Sequence, residues 1–198
     1  LNRFAAEAAV LGTHTTADLG RWMEGAVAVA AVVTAVKRQI ARRSGAEWAR
    51  LVLEDFHGSA EVIVFPEAWA KLAKAIVQDG AYLFVGGYSP RDRTEEDARL
   101  VIEDAQPLAE MRSAGRIGLA LRLREGAAAP ADAARAVASL CRAHPGPSPV
   151  FLEWTAGGDD GGPARFRSKS LQVALDDDLL AALRDLLGES AVTLVKAR

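Results

Sequence analysis

The sequence has little cysteine, little histidine and no long hydrophobic run, and each shortage excludes a class of protein. A single cysteine, Cys141, excludes an intrachain disulfide framework and fits a reducing compartment. The three histidines, His14, His57 and His144, are far apart in the sequence and do not form a zinc-ligand pattern. No apolar stretch reaches the roughly 18 residues of a membrane span, and residues 1–10 lack a signal-peptide pattern. We therefore expect a cytoplasmic protein that makes no membrane contact and holds no metal or cofactor.

Strong net charge of either sign is also missing. The chain carries 24 Lys and Arg against 26 Asp and Glu, a formal charge of −2, which excludes a uniformly basic protein that coats nucleic acid. Any contact with nucleic acid must come from a local patch. One such patch is KRQIARRSG at residues 37–45, with four cations at Lys37, Arg38, Arg42 and Arg43. It is either a solvated turn or a binding site for a polyanion.

The patch lies in a recognisable order of elements. Residues 26–40, rich in valine and alanine, predict a strand covered on both sides, and further strands follow at 48–54 and 60–65. A helix begins at Pro66, which suits a first helical position, and is predicted to end at residues 79–80. Two more strands follow, at 81–85 and 100–102, and Pro107 closes the unit. Three strands, a helix and two strands are the element order of the OB-fold, a five-stranded barrel whose loop between strands 1 and 2 lies beside the ligand.

The rest of the chain predicts a second domain. Residues 1–25 are interpreted as a helical lead-in, 26–107 as the OB-fold, 108–115 as a linker and 116–198 as a small α+β domain. The order in that domain is β-α-β-β-α-β. Within it HPGPSP is predicted to be a rigid loop, TAGGDDGGP a hairpin connection, and Asp176 and Gly188 the start and stop of the last helix.

Two segments resemble a known family. The string LVLEDFHGSAEVIVFP (51–66), with the basic loop before it and VIEDAQPLAEMR (101–112) after it, resembles the OB domain of the bacterial replicative DNA polymerase III α subunit. The tail resembles that family through HPGPSPV (144–150) and LLAALRDLLGESAVTL (179–194). The resemblance covers essentially the whole chain. The sequence differs from the family at two places. Residues 30–31 are two alanines where the family commonly has a glycine, and residues 46–48 are AEW where the family commonly has a further basic residue.

The resemblance implies a role as well as a fold. It implies the C-terminal region of a polymerase whose catalytic domains lie upstream in the chain, so no catalytic residue is assigned here. It further implies that the OB domain binds single-stranded template DNA and that the tail domain docks onto the clamp-loader τ subunit. The setting it implies is the replisome in the bacterial cytoplasm.

Six residues are candidates for nucleic-acid binding. The basic loop supplies four of them, Arg50 on the second strand extends the patch, and Trp48 either stacks on a base or packs against the lead-in helix. The sequence leaves two other interpretations open: a protein-interaction module without DNA binding, and an anticodon-binding OB domain of a tRNA synthetase.

Two further features have a structural interpretation as well as a functional one. Arg91 and Arg93, between strands 4 and 5, are interpreted as part of a solvated turn, because neighbouring acidic residues lower the positive charge of the loop. These residues are Asp92, Glu95, Glu96 and Asp97. Leu180 and Leu187 of the last helix either form an exposed partner site or belong to a buried core.

Overall fold

The computed structural model describes residues 1–93, 98–124, 130–155 and 164–197. The chain divides into two compact units, Leu1–Ala109 and Glu110–Arg198. The division falls within the residues predicted as a linker. The acidic residues 95–97 and most of the predicted hairpin connection, 156–163, lie outside the described residues.

The first unit is a closed barrel. Its strands are β1 (Val27–Ile40), β2 (Glu47–Glu54), β3 (Ser59–Val64), β4 (Ala81–Gly87) and β5 (Val101–Pro107). The order around the barrel is β1-β2-β3-β5-β4, and β1 closes it by pairing with both β2 and β4. β3 and β5 pair in parallel at Ile63 and Val101, while the other neighbours are antiparallel. This is the OB-fold topology, so the predicted fold is confirmed.

Alternate residues of the strands fill the barrel. Leu51, Leu53, Val62, Val64 and Phe84 have no exposed surface, as expected for inward positions of a small barrel. Burying each such side chain contributes about 1.5–3 kcal/mol. The residues between them therefore face outward, which fixes the side chains available to a ligand.

A helix, α2 (Pro66–Leu72), covers one end of the barrel. Its Trp69 side chain is 1% exposed and belongs to the barrel core. The predicted end at residues 79–80 is wrong. The amides of Ala75 and Ile76 both donate to the carbonyl of Leu72, which tightens the chain into turns. The Tyr82 hydroxyl then holds those turns, because it accepts from the amide of Val77 and donates to the carbonyl of Ala75.

The lead-in is short. It consists of a 3₁₀ turn, Asn2–Phe4, then α1 (Ala5–Leu11) and a second 3₁₀ turn, Thr16–Asp18. The nearly buried carboxylate of Asp55, at the end of β2, accepts hydrogen bonds from both the amide (2.8 Å) and the hydroxyl (2.6 Å) of Thr16. This contact ties the lead-in to the barrel.

The second unit is a four-stranded sheet with two helices. Its elements are β6 (Ile117–Arg124), α3 (Pro130–Ala143), β7 (Pro145–Thr155), β8 (Ala164–Val173), α4 (Asp177–Leu187) and β9 (Val192–Lys196). The strand order is β8-β7-β6-β9, with β6 and β7 parallel. The predicted β-α-β-β-α-β order is confirmed.

The prediction of a rigid loop at HPGPSP is wrong. Most of this segment belongs to a strand, because β7 begins at Pro145. The ladder to β8 shifts register between Pro145 and Ser148 and again between Pro149 and Phe151. Such irregularities accommodate prolines, which have no amide to donate. Ser148, between the prolines, is fully buried.

The start and stop of α4 follow the prediction. A carboxylate oxygen of Asp176 accepts from the amide of Leu179 at 2.8 Å, and Gly188 has φ of 91° at the other end. That hydrogen bond, with a second one to His144 at 2.9 Å, lowers the pKa of Asp176.

Leu180 is 4% exposed and belongs to the core, so it does not supply a partner site. Of the helices in the described ranges, none has the length and apolarity needed to cross a membrane.

Candidate nucleic-acid interface

A β-bulge in β1 decides which cations face outward. Val27, Val29, Ala31 and Val33, at every second position, have no exposed surface. Register then shifts between Val33 and Ala35, so that Thr34 is an extra residue in the ladder to β2. Beyond the bulge Val36 packs on the core and Lys37 points outward. Without the bulge, simple alternation would turn Lys37 toward the interior.

The outer face carries an aligned set of side chains. Lys37 lies opposite Arg50, and Arg50 lies opposite Ile63 on β3, so the three form a row across the strands. In the next row Trp48 lies opposite Gln39. We call this surface, defined by Lys37, Trp48, Arg50, Glu61 and Ile63, the outer β2–β3 face.

Arg50 is held in place by two neighbours. Its guanidinium lies 5.4 Å from the centroid of the Trp48 ring, a cation–π distance. A guanidinium nitrogen of Arg50 also lies 3.6 Å from a carboxylate oxygen of Glu61. The same oxygen of Glu61 lies 2.8 Å from Arg99, which precedes β5. Glu61 is therefore shared by two cations, and a cleft of about 440 Å³ opens beside Glu61 and Arg99.

The turn between β1 and β2 presents two more cations. The amide of Gly45 donates to the carbonyl of Ala41 at 2.8 Å, and Gly45 has φ of 67°, which favours glycine. This turn leaves Arg42 and Arg43 exposed. Within the described residues, neither arginine has a carboxylate within ion-pair distance, and Lys37 has none either.

Arg38 does not join the other candidates. It lies opposite buried Ala49, so its side chain emerges on the other face of the hairpin. Its guanidinium lies 5.7 Å from the centroid of the Trp69 ring and 3.8 Å from the carboxylate of Glu47. The structure thus brings Lys37, Trp48 and Arg50 together and places Arg38 apart from them.

Two residues of the outer β2–β3 face are not among the candidates that the sequence analysis names. Glu61 and Ile63 alternate with the buried Val62 and Val64, and that alternation was the available signal. Arg99 gave no such signal, because it precedes β5 in irregular backbone.

The loop after β4 makes local contacts. The guanidinium of Arg93 lies 5.0 Å from the centroid of the Trp22 ring, and the indole nitrogen of Trp22 donates to the carbonyl of Ser89 at 3.0 Å. Arg91 is exposed. These contacts fit the interpretation of this loop as a turn at the surface.

The part of the chain that the structure describes offers few groups for metal binding or nucleophilic catalysis. No cluster of three or more His, Cys, Asp or Glu side chains there is arranged to hold a metal ion. Cys141 is 1% exposed, and burial raises the pKa of its thiol, which suits a core residue better than a nucleophile.

Known proteins resemble this chain in sequence. The DNA polymerase III α subunit of Halalkalibacterium halodurans is 26% identical over 161 residues, and that of Mycobacterium leprae is 28% identical over 176 residues. These matches cover 78% and 88% of this chain. The resemblance to the DNA polymerase III α subunit is confirmed. The α subunit of Saccharopolyspora erythraea adds a shorter match, 32% identical over 68 residues, 34% of this chain and 6% of that protein.

The chain is much shorter than the α subunits it resembles. It spans 13% of the length of the Halalkalibacterium α subunit and 14% of the Mycobacterium one. No protein-family model matches the sequence. The mitochondrial single-stranded DNA-binding protein Rim1 of S. cerevisiae matches with a TM-score of 0.33 and 10% identity, over 42% of this chain and 93% of Rim1. That likeness is too small to carry an argument, and the OB-fold assignment rests on the strand topology.

Proposed function

We propose that this chain is the C-terminal part of a bacterial replicative DNA polymerase III α subunit and that its barrel binds single-stranded template DNA. The observation that carries the proposal is the outer β2–β3 face, where Lys37, Trp48 and Arg50 lie together beside a turn with two exposed arginines. OB-folds bind oligonucleotides on this face and on the loop between strands 1 and 2. The sequence similarity to α subunits supports the parent protein.

Each group has a distinct task in this proposal. Lys37, Arg42 and Arg43 neutralise phosphates and release counterions, which makes the affinity depend on salt. Trp48 offers a ring on which a base stacks, and Arg50 is already positioned against that ring. The face has one half-buried indole, that of Trp48, and several cations, so electrostatic attraction supplies most of the affinity and little sequence preference results.

The second unit has a different proposed role, which is docking onto the clamp-loader τ subunit in the replisome. The support is the sequence match to the Mycobacterium α subunit, which extends over 88% of the chain. The polymerase active site then lies upstream in the parent chain, and this part supplies template binding and attachment.

Fluorescence anisotropy with labelled oligo-dT tests the DNA-binding role. The double variant R42A/R43A should bind about tenfold more weakly at low salt, because two phosphate contacts are lost. The matched control is R135A/R142A, which removes two exposed cations from α3 in the second unit and should bind like the parent. Unchanged affinity in R42A/R43A, or preference for folded tRNA over oligo-dT, contradicts the proposal.

The τ role needs a separate experiment. Gel filtration of the chain mixed with the purified τ subunit of the same organism should show a complex at micromolar concentration. Absence of a complex refutes the docking role and leaves the DNA-binding proposal standing.

A further inference from the structure

The sheet of the second unit has a face on which cations collect. Opposite residues in an antiparallel ladder point to the same side. Arg167 on β8 lies opposite Phe151 on β7, and Arg165 lies opposite Glu153. On the other side of β7, Arg122 of β6 is in register with Glu153. This set shares one face of the sheet, which we call the arginine face.

A glycine makes room on that face. A Cβ at Gly118 would lie 2.7 Å from the ring of Phe151, so the ring occupies the space that a side chain on β6 would fill. The guanidinium of Arg165 lies 4.5 Å from the centroid of the same ring. Phe151 is consequently only 8% exposed.

One carboxylate organises the arginines without neutralising all of them. Oxygens of Glu153 lie 3.4 Å from Arg122 and 3.9 Å from Arg165. Arg165 is thus held between a ring and a carboxylate, which leaves some of its N–H donors for a ligand. Across the described part of the chain, Arg167 has no carboxylate within ion-pair distance.

A cavity of about 390 Å³ opens at this place. Among the residues that the structure describes, Phe151, Arg165, Arg167 and Lys196 line it, and none of these is a carboxylate. The volume lies in the range of pockets that hold small ligands, about 300–1,000 Å³. Lys169 is not assigned to the arginine face, because it lies in a bulge of β8. In this bulge the Ser168 hydroxyl accepts a hydrogen bond from the amide of Leu171.

We propose that this cavity binds carboxylate side chains of an acidic segment in a partner protein. Planar guanidinium groups match carboxylates with two parallel hydrogen bonds, and stacking on a ring fixes their orientation in advance. Nucleic acid is the less favoured ligand, because the aromatic ring in the cavity is covered by Arg165 and offers no surface for base stacking. The site adds detail to the proposed docking role of the second unit. The identity of the protein that carries the acidic segment rests on that role, whereas the binding of carboxylates does not.

The test uses the full chain and a labelled hexaglutamate peptide, with a hexaglutamine peptide as the neutral control. Hexaglutamate should bind with a dissociation constant below a millimolar, and R165A/R167A should weaken binding about tenfold, equivalent to about 1.4 kcal/mol. R135A/R142A, with the same loss of charge, should bind like the parent. The charge-reversed variant R165E/R167E should lose hexaglutamate and gain hexalysine.

Three results overturn the inference. One is absence of hexaglutamate binding at millimolar concentration. Another is equal weakening in R165A/R167A and R135A/R142A, which would mean attraction to net charge alone. The last is oligo-dT binding that R165A/R167A abolishes, which would make the face a nucleic-acid site. A chain that binds hexaglutamate at this face but not τ would sustain the site and refute the proposed partner.

Discussion

Lys37 and Arg50 lie directly opposite each other on β1 and β2, and both point away from the barrel core. Two like charges facing each other across a ladder destabilise the pair. Glu61, 3.6 Å from Arg50, offsets part of that repulsion. The arrangement costs some stability in the free protein, and a bound phosphate would relieve it.

Removing the charge of Glu61 is expected to strengthen DNA binding. In E61Q both Arg50 and Arg99 lose their carboxylate partner and can contact phosphate. Affinity for oligo-dT should rise by about three- to tenfold at low salt, with a steeper dependence on salt. Anisotropy titrations at several salt concentrations measure both quantities.

The control for E61Q is D185N, which removes one exposed negative charge from α4 in the second unit. It should leave oligo-dT affinity unchanged. A weaker E61Q would mean that Glu61 positions Arg50 for binding, which is the opposite of the role inferred here.

Trp48 should contribute through stacking. W48A is expected to lose about 1–3 kcal/mol of binding free energy, the usual value for a base stacked on an aromatic side chain, while the salt dependence stays unchanged because no charge is removed. W48F should retain part of the affinity. F166A, which removes an exposed ring from β8, is the control, and W48A behaving like F166A would exclude stacking.

The fold was predictable because its signals are local. The two-sided apolar run of β1, the turn at Asp55 and Gly58, and Pro66 before an amphipathic helix each fix one element. The face of Lys37 was not predictable, because the bulge at Thr34 reverses the alternation and has no composition signal. Clustering in sequence therefore suggested four equivalent cations, while the register separates Arg38 from Lys37.

The second unit shows the same limit. Prolines at 145, 147 and 149 favour a loop by local preference. The buried Ser148 and the partner strand β8 override that preference by placing irregular pairing where amides are missing. Cavities such as the one beside Arg165 depend on strands far apart in sequence, which no local pattern reveals.

Asp55 should stabilise the first unit in a pH-dependent way. Burial raises the pKa of its carboxyl, but hydrogen bonds from the hydroxyl and amide of Thr16 and from the amide of His57 outweigh that effect, and the net pKa is lowered from 3.8. The stabilisation is therefore present above the unfolded-state value and is lost as pH falls through the lower folded-state value.

We expect D55N to reduce the free energy of unfolding by about 1–3 kcal/mol at neutral pH, since buried donors lose a charged acceptor. Urea unfolding measures this, and the difference from the parent should shrink in acid. D79N, at an exposed residue with φ of 63° that asparagine tolerates, is the control. A difference that persists unchanged in acid would exclude the ionised carboxylate as its source.

Neighbouring glycines in β4 make a matched pair. A Cβ at Gly86 would lie 2.0 Å from the carbonyl oxygen of Val101, whereas at Gly87 the nearest atom would be 3.6 Å away. G86A should lower the free energy of unfolding by about 1–3 kcal/mol or more, because backbone must move. Thermal unfolding of G86A and G87A compares them, and equal melting temperatures would contradict this close β4–β5 contact.

Binding of single-stranded DNA at the β1–β2 turn and the outer β2–β3 face is tested by the slope of log Kd against log salt concentration for oligo-dT. Each phosphate contact on a single strand contributes about 0.7 to that slope. We expect a steep slope for the parent and a slope about 1.4 smaller for R42A/R43A, because two contacts are removed. A parent whose binding does not depend on salt, or a variant with the parent's slope, would contradict the assignment of DNA binding to this turn and face.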